Sequence, residues 1–333
     1  MAKRKPYRFF LYLGARFLAG FFSLLPRPLA LKLAGLIGRA SYDLALRQRK
    51  NILENLRQAY AGEKSEDQIQ EIAARVLEHA AKTAVEVTRF PKLNQARVQK
   101  LVDLGSSLKV YRELLAEGKG LISISAHLGN WELLAAAVIL EGFPAAVVGR
   151  RLYYEPYDRW LVSLRRSLGV RTIYRDQAAR EILGLLKKNG IVGLVPDQDV
   201  DSLEGVYVDF FGRPAYTPVA PVRLALITGA PLLVNFLIRE PDDRYRVILG
   251  EVLRPRVQTT REEAIQHTTA AWMKQVEKVV RQYPEQWAWM HHRWKTQPER
   301  RRTAASARRD FQESNPLATC APMSLASGAW SLR

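Results

Sequence analysis

Cysteine is almost missing from this chain of 333 residues; Cys320 stands alone. One thiol cannot close an intramolecular disulfide or build a cysteine-ligated zinc site, and it accords with a reducing compartment. Histidine is sparse too. His79, His267, His291 and His292 show no ligand spacing toward the fifth, His127, and no H-E-x-x-H occurs. Neither G-x-G-x-x-G nor a P-loop sequence is present, so nucleotide binding has no motif behind it. No internal repeat is found. Acids are scarce, with 33 Asp+Glu against 51 Lys+Arg and a net charge of +18. Apolar material is ample. With 47% hydrophobic and 25% charged residues, wholesale disorder is excluded, and the length suits one large α/β domain or two smaller ones.

The positive charge is concentrated at the start. Residues 1–50 carry eleven Lys/Arg against the single acid Asp43, which points to an anionic neighbour such as a membrane, a nucleic acid or an acidic protein. Inside this basic stretch, Phe9 to Leu25 is apolar except for Arg16. As a helix it spans roughly 26 Å, the short limit for a bilayer crossing. Tyr12, Arg16, Gly20, Ser23 and Arg27 share one helical face and leave a broad aromatic and aliphatic face for acyl chains, as in an interfacial helix. Phe17-Leu18-Ala19 offers no small-x-small cleavage site, so a secretory signal is not expected. Membrane attachment through this segment is the expectation, as a transmembrane or an interfacial helix.

Beyond it the pattern is α/β. Arg47–Tyr60 reads as a basic, half-apolar helix. Ser65 and Gln68 form a capping box for a helix that runs to about Arg89 and stops at Pro91. Strands are expected at Leu121–Ser125, Ala145–Val148, Arg171–Tyr174, Ile191–Val195, Leu232–Ile238 and Tyr245–Leu249. Helix-length patterns such as Trp131–Leu140, Tyr157–Leu168 and Gln177–Lys188 lie between several of them. This alternation predicts a largely parallel sheet with helices on its faces. A last helix starts at Thr260 and ends at Pro284. The expected organisation is a basic membrane anchor over 1–45, a catalytic domain over 46–299 and a poorly ordered basic tail over 300–333.

The sharpest chemical signal is Leu121-Ile-Ser-Ile-Ser-Ala-His127-Leu-Gly-Asn-Trp-Glu132. An apolar strand runs out just before His127, Gly129 and Asn130 make a turn, and Glu132 falls in the first turn of a helix capped by Asn130. Ligands of open α/β sheets bind beyond the carboxyl ends of strands, where this places His127. On one continuous helix the two side chains would point about 140° apart, so they meet only if the histidine lies in the loop. Glu132 is then expected to accept from one ring nitrogen and leave the other free to take a proton. No Ser or Cys nucleophile accompanies this base, so the attacking hydroxyl would belong to the substrate.

Ala126-His-Leu-Gly-Asn-Trp-Glu132 resembles the H-x4-E signature of the bacterial late lipid A (lauroyl/myristoyl) acyltransferases. Other segments agree in order: Arg49-Lys-Asn-Ile-Leu-Glu-Asn-Leu56, Val148-Gly-Arg150-Arg151, Arg165 four residues before Gly169, Val195-Pro-Asp197-Gln-Asp199, Val208-Asp-Phe-Phe-Gly-Arg-Pro-Ala215 and Trp289-Met-His-His-Arg-Trp-Lys295. The likeness covers about residues 5–300. It departs where Tyr154-Glu-Pro-Tyr157 replaces an Asn-Pro. The resemblance implies a glycerol-phosphate acyltransferase-like α/β/α sandwich with an N-terminal membrane-associated helix, a protein of the inner membrane whose active domain faces the cytoplasm. It also implies transfer of an acyl group from an acyl carrier protein thioester to a hydroxyl of a lipid A precursor, with no metal or other cofactor. In the mechanism so expected His127 is the base, Glu132 orients it and Arg165 donates to the oxyanion. Arg150 and Arg151 would bind lipid phosphate or carrier phosphopantetheine. Asp197 and Asp199 would bind sugar hydroxyls or position an arginine, and Trp287, Trp289 and Trp294 would pack in the core or at an interface. Two rivals stand beside this. One is acylation of another membrane lipid, a phosphatidylinositol mannoside or a lyso-lipid, from acyl-CoA. The other is a non-enzymatic basic protein bound to nucleic acid, against which the placement of charge around an apolar segment argues.

Overall fold

The computed structural model describes residues 7–257 and 260–298. The Arg-rich tail expected from residue 300, and Lys3, Arg4 and Lys5 of the basic N-terminal flank, lie outside them. Four helices come first: α1 (Tyr7–Leu24), α2 (Arg27–Ala40), α3 (Leu46–Ala59) and α4 (Glu66–Thr88). They are followed by α5 (Gln95–Leu101), β1 (Val102–Asp103), α6 (Ser107–Ala116), β2 (Leu121–Ile124), α7 (Trp131–Leu140), β3 (Ala145–Gly149), α8 (Glu155–Arg166) and β4 (Arg171–Tyr174). The chain continues through α9 (Ala178–Lys187), β5 (Ile191–Leu194), β6 (Gly205–Phe210), β7 (Arg213–Pro218), α10 (Ala220–Thr228), β8 (Leu232–Arg239), β9 (Tyr245–Leu253) and α11 (Arg261–Gln282).

Seven strands form one sheet in the order β1-β9-β8-β2-β5-β3-β4. The core strands β8, β2, β5, β3 and β4 run parallel, and β9 runs antiparallel to β8. Strand side chains alternate between two apolar layers because a pleated strand turns successive residues to opposite faces. Ile122, Ile124, Val192, Val234 and Phe236 pack on one side, with residues of α3, α4, α9 and α11. Leu121, Ile191, Leu233 and Leu237 pack on the other, with residues of α5, α6 and α7. The six expected strands all form. The two-stranded antiparallel ribbon β6-β7 also forms, around the Phe-Phe-Gly-Arg-Pro-Ala segment, together with the short edge strand β1.

Local capping follows the residues. Ser65 accepts from the Gln68 amide while the Gln68 side chain accepts from the Ser65 amide, the reciprocal arrangement that closes a helix start. Thr260 caps α11 through the Glu263 amide. Helix α2 lies close along α4 because its inner face is made of small residues. A Cβ at Gly38 would sit 2.5 Å from the Leu77 carbonyl oxygen, so only glycine allows that approach.

The membrane-crossing expectation is corrected here. Among the described residues no helix is long and apolar enough to cross a membrane. Arg8 and Arg16 interrupt the 18 residues of α1, and α2 turns back to pack on α4. Helix α1 divides into two stripes. Ala15, Leu18, Ala19 and Phe22 face inward onto a cavity, and Phe10, Leu13, Phe17, Phe21 and Leu24 are exposed. Its last turn contains no basic residue; Arg89 and Lys92 instead donate to the Phe22 and Ser23 carbonyls and satisfy acceptors that a helix end leaves open.

Candidate active site

The site is built where two neighbouring parallel strands run out together. Strands β2 and β5 pair with Ile124 opposite Leu194. Three residues past each of these positions stand His127 and Asp197. The two meet twice. The His127 amide donates to Asp197 Oδ2 at 2.9 Å, and Nδ1 lies 2.7 Å from Oδ1. An ionised carboxylate only accepts, so Nδ1 carries the proton and Nε2 is left as the basic nitrogen. The Trp287 indole donates to Asp197 Oδ2 at 2.9 Å, which fixes the carboxylate from behind.

The loop bearing the histidine is held along its length. The Ala288 amide donates to the His127 carbonyl, the Gly129 amide to the Gln286 carbonyl and the Asn130 amide to the Leu237 carbonyl, at 2.9, 3.0 and 2.9 Å. Gly129 has φ of +63°, and a Cβ there would fall 1.9 Å from the Leu237 carbonyl oxygen. No other residue can turn the chain so close to β8. Asn130 caps α7 by accepting from the Leu133 amide, and its side-chain Nδ2 donates to Glu86 and to the Tyr245 hydroxyl. Glu86 is buried and also accepts from Arg27 and Arg239. One carboxylate on α4 thus ties the start of α2, the end of β8 and the turn after His127 together.

Glu132 does not hold the ring, contrary to the expectation from the sequence. Its carboxylate takes a bidentate pair of hydrogen bonds from Arg165, Nε to Oε2 at 2.7 Å and Nη2 to Oε1 at 2.6 Å. The reason is positional. The first turn of α7 faces the last turn of α8, while His127, past the end of β2, faces the chain leaving β5, one of the two strands beside β2. The expected oxyanion donor is corrected by the same contact. The Arg165 fork is committed to Glu132, its Nη1 reaches the Thr172 hydroxyl at 3.4 Å, and its side chain is not among the cavity walls. Asp197, expected to bind sugar hydroxyls or position an arginine, is fully buried and occupied by His127 and Trp287. Asp199 accepts from the Thr296 amide and hydroxyl. Arg150 and Arg151 are exposed past the end of β3, Arg151 stacking 3.8 Å over the Tyr174 ring. Trp287, Trp289 and Trp294 are buried, as their packing role requires, and Trp287 adds the hydrogen bond to Asp197 that sequence reasoning missed.

Electrostatics follow from these contacts. Burial alone would push the His127 imidazole down. The charge and hydrogen bond of Asp197, with a smaller contribution from Glu132, outweigh it, and the net shift is upward. Burial would raise the Asp197 carboxyl, but the imidazole, the His127 amide and the Trp287 indole pull it down to about 2. An imidazole made more basic by a fixed carboxylate is the arrangement of a general base.

His127 and Glu132 open onto a cavity of about 670 Å³ with mostly apolar walls. Its far side is made by α1 and α4, and Trp160, Leu161 and Leu164 of α8 close it laterally. Such a volume suits a long apolar ligand delivered to a polar end. No group of His, Cys, Asp or Glu able to hold a metal ion occurs among the described residues.

Comparison with known proteins agrees with this geometry. The family model described as bacterial lipid A biosynthesis acyltransferase matches residues 2–296. The chain is 27% identical to the lipid A biosynthesis lauroyltransferase of Escherichia coli strain K12 over 285 residues, covering 83% of this chain and 88% of that protein. It is 23% identical to a lipid A biosynthesis acyltransferase of Haemophilus influenzae over 86% of this chain and 87% of that one. It is 32% identical to a phosphatidylinositol mannoside acyltransferase of Mycobacterium tuberculosis strain H37Rv over a shorter stretch, 44% of this chain and 48% of that protein.

Proposed function

Because the chain belongs to the bacterial lipid A biosynthesis acyltransferase family and is an O-acyltransferase, we propose that it moves a fatty acyl group from an acyl carrier protein thioester to a hydroxyl of a lipid A precursor, using His127 as the base. The observation that carries this reading is the His127–Asp197 pair opening on the apolar cavity. The layered sheet is read as a glycerol-phosphate acyltransferase-like α/β/α sandwich.

In this mechanism Nε2 of His127 takes the proton of the acceptor hydroxyl as its oxygen attacks the thioester carbonyl carbon. The carbonyl electron pair moves onto oxygen. The tetrahedral intermediate collapses, the C–S bond breaks, and the departing sulfur receives the proton from the imidazolium. The products are an ester and a thiol. A thiol leaves with a pKa of about 8.5, so departure needs little help. Asp197 keeps the ring in the useful tautomer and stabilises its charged form. Glu132, held by Arg165, adds negative potential on the cavity side of the ring. A positioned base contributes about 10²–10⁴-fold.

Membrane association is assigned to the outer stripe of α1. It fits an interfacial helix whose apolar face enters the acyl region of the cytoplasmic leaflet of the inner membrane, while Arg8 and Arg16 stay at headgroup level. Arg150 and Arg151 are read as partners of lipid phosphate or carrier phosphopantetheine; in support, Leu152, next in the chain, lines the cavity. A second reading, acylation of a phosphatidylinositol mannoside from acyl-CoA, is supported by the 32% identity to the mycobacterial enzyme.

The test is to incubate purified protein with acyl carrier protein thioester or acyl-CoA and with a tetraacyl lipid A precursor or a phosphatidylinositol mannoside, and to weigh the products by mass spectrometry. The first reading expects a single added acyl chain on the lipid A precursor from the carrier protein. Product only on the mannoside would replace it with the second reading, and no product from any pair would reject acyl transfer.

A further inference from the structure

Once Arg165 is bound to Glu132, the donor expected for the oxygen that becomes negative in the tetrahedral intermediate is taken up. Two rings stand beside the base: Trp131, at 5.0 Å between centroids, and, on the segment that follows α11, His291. Its centroid lies 5.8 Å from that of His127, with the ring planes at 57°. Both rings line the same cavity. No hydrogen bond to the His291 ring is made by any described residue.

The position is prepared from below. Asn51 and Asn55 stand one turn apart on α3. Asn55 Nδ2 donates to the Trp289 carbonyl at 2.7 Å and to the His291 carbonyl at 2.6 Å, and Asn51 Nδ2 reaches the Met290 carbonyl at 3.4 Å. Two residues on, the buried Arg293 is anchored on the Tyr216 carbonyl and the Thr217 hydroxyl. The segment carrying His291 is therefore fixed on both sides while its ring stays open to the cavity mouth. His291 is exposed at the cavity mouth, and its ring is partly buried against the walls. That burial, with the neighbouring His127 second, holds the His291 pKa below the ordinary histidine value. The ring is neutral at pH 7 and keeps one N–H to give.

We propose that His291 is a further catalytic residue whose ring N–H holds the thioester carbonyl oxygen as it becomes an oxyanion. The proposal rests on the acyl-transfer reading above. A preorganised donor of this kind acts in the transition state and not in ground-state binding.

Steady-state kinetics with acyl carrier protein thioester and tetraacyl lipid A precursor test it, on wild type, His291→Phe, His291→Gln and His127→Ala. Phe keeps the ring's bulk and removes the N–H; Gln restores an N–H at similar reach. His291→Phe should lower kcat about 10²-fold with KM within about threefold, and His291→Gln should recover at least about tenfold of that loss. Thermal unfolding shows whether each variant is folded, and His291→Ala takes the place of Phe if the larger ring is not accepted. The donor assignment is overturned if the N–H deletion keeps kcat within about threefold of wild type, if its effect falls on KM alone, or if Gln is as poor as Phe. Full activity of His127→Ala would instead overturn the assignment of His127 as the base, on which the proposal stands.

Discussion

Asp197 and Glu132 are both buried carboxylates close to His127, and they differ in the partner each faces. Asp197 faces an imidazole that gains and loses a proton near neutral pH; Glu132 faces a guanidinium that does not. The first pair is able to change state during a reaction. The second is a fixed charge pair, only 10–14% exposed on its side chains, and it shapes the wall of the cavity. The H-x4-E spacing names one residue from each pair. The chemistry is assigned to the histidine, and the carboxylate that serves it comes from the next strand over.

The largest expected effects test that division. His127→Ala should lower kcat by about 10²–10⁴, and Asp197→Asn by a similar factor, about 10²–10⁴, through the wrong tautomer and a less stable imidazolium. The pH profile separates them. The base must be neutral, so wild-type kcat/KM should fall as pH drops through a midpoint above the ordinary histidine value, because the net shift of His127 is upward. In Asp197→Asn the raising charge is gone and burial remains, so the acid limb should move to lower pH while the plateau drops. A limb that stays in place in Asp197→Asn would break the comparison, since Asp197 would then not set the basicity of the ring.

The next effect is on stability. Breaking a buried pair by removing one partner leaves an uncompensated charge and costs about 3–5 kcal/mol. Glu132→Ala and Arg165→Ala should each lose stability of that order in urea unfolding. The double variant Glu132→Leu with Arg165→Met should regain most of it, because no lone charge is left. Its activity should remain below wild type, since the negative potential facing the imidazolium is gone. Full activity in the double variant would mean that the pair only holds α7 against α8.

How much of this was legible in the sequence depended on range. Local signals read correctly: the Ser65–Gln68 capping box, the Asn130 and Thr260 caps, the six strands and the position of His127 past the end of β2. What escaped were pairings set by strand order. Strand β5 lies beside β2 only because the chain passes through β3 and β4 first. No periodicity in a single sequence states that order, so Asp197 read as a turn, a sugar-binding residue or a partner for an arginine. One signal was present. His127 and Asp197 stand at the same offset past two apolar runs of equal length, which is where adjacent parallel strands bring side chains together. The β6-β7 ribbon hid for a different reason: Gly212 and two prolines, Pro214 and Pro218, break the alternation that marks a strand.

The smallest expected effect concerns α1 against α2. The two helices are consecutive and both rich in apolar residues, but α2 turns small residues onto α4, while α1 leaves Phe10 and Phe17 69% and 76% exposed. Exposed rings on a helix that also walls the cavity make sense if the surface they meet is lipid. Burying such a side chain is worth about 1.5–3 kcal/mol when complete, and less at an interface. Phe10→Ser with Phe17→Ser should therefore weaken binding to vesicles of anionic phospholipid by about tenfold or more in a sedimentation assay. Urea stability should stay within about 0.5 kcal/mol of wild type, because neither ring packs in the core. Equal loss of stability and binding would show that the rings serve the fold, and the contrast between the two helices would then be one of packing alone. Unchanged vesicle binding with unchanged stability would move the membrane contact to another surface, since the outer α1 stripe would then not be needed for it.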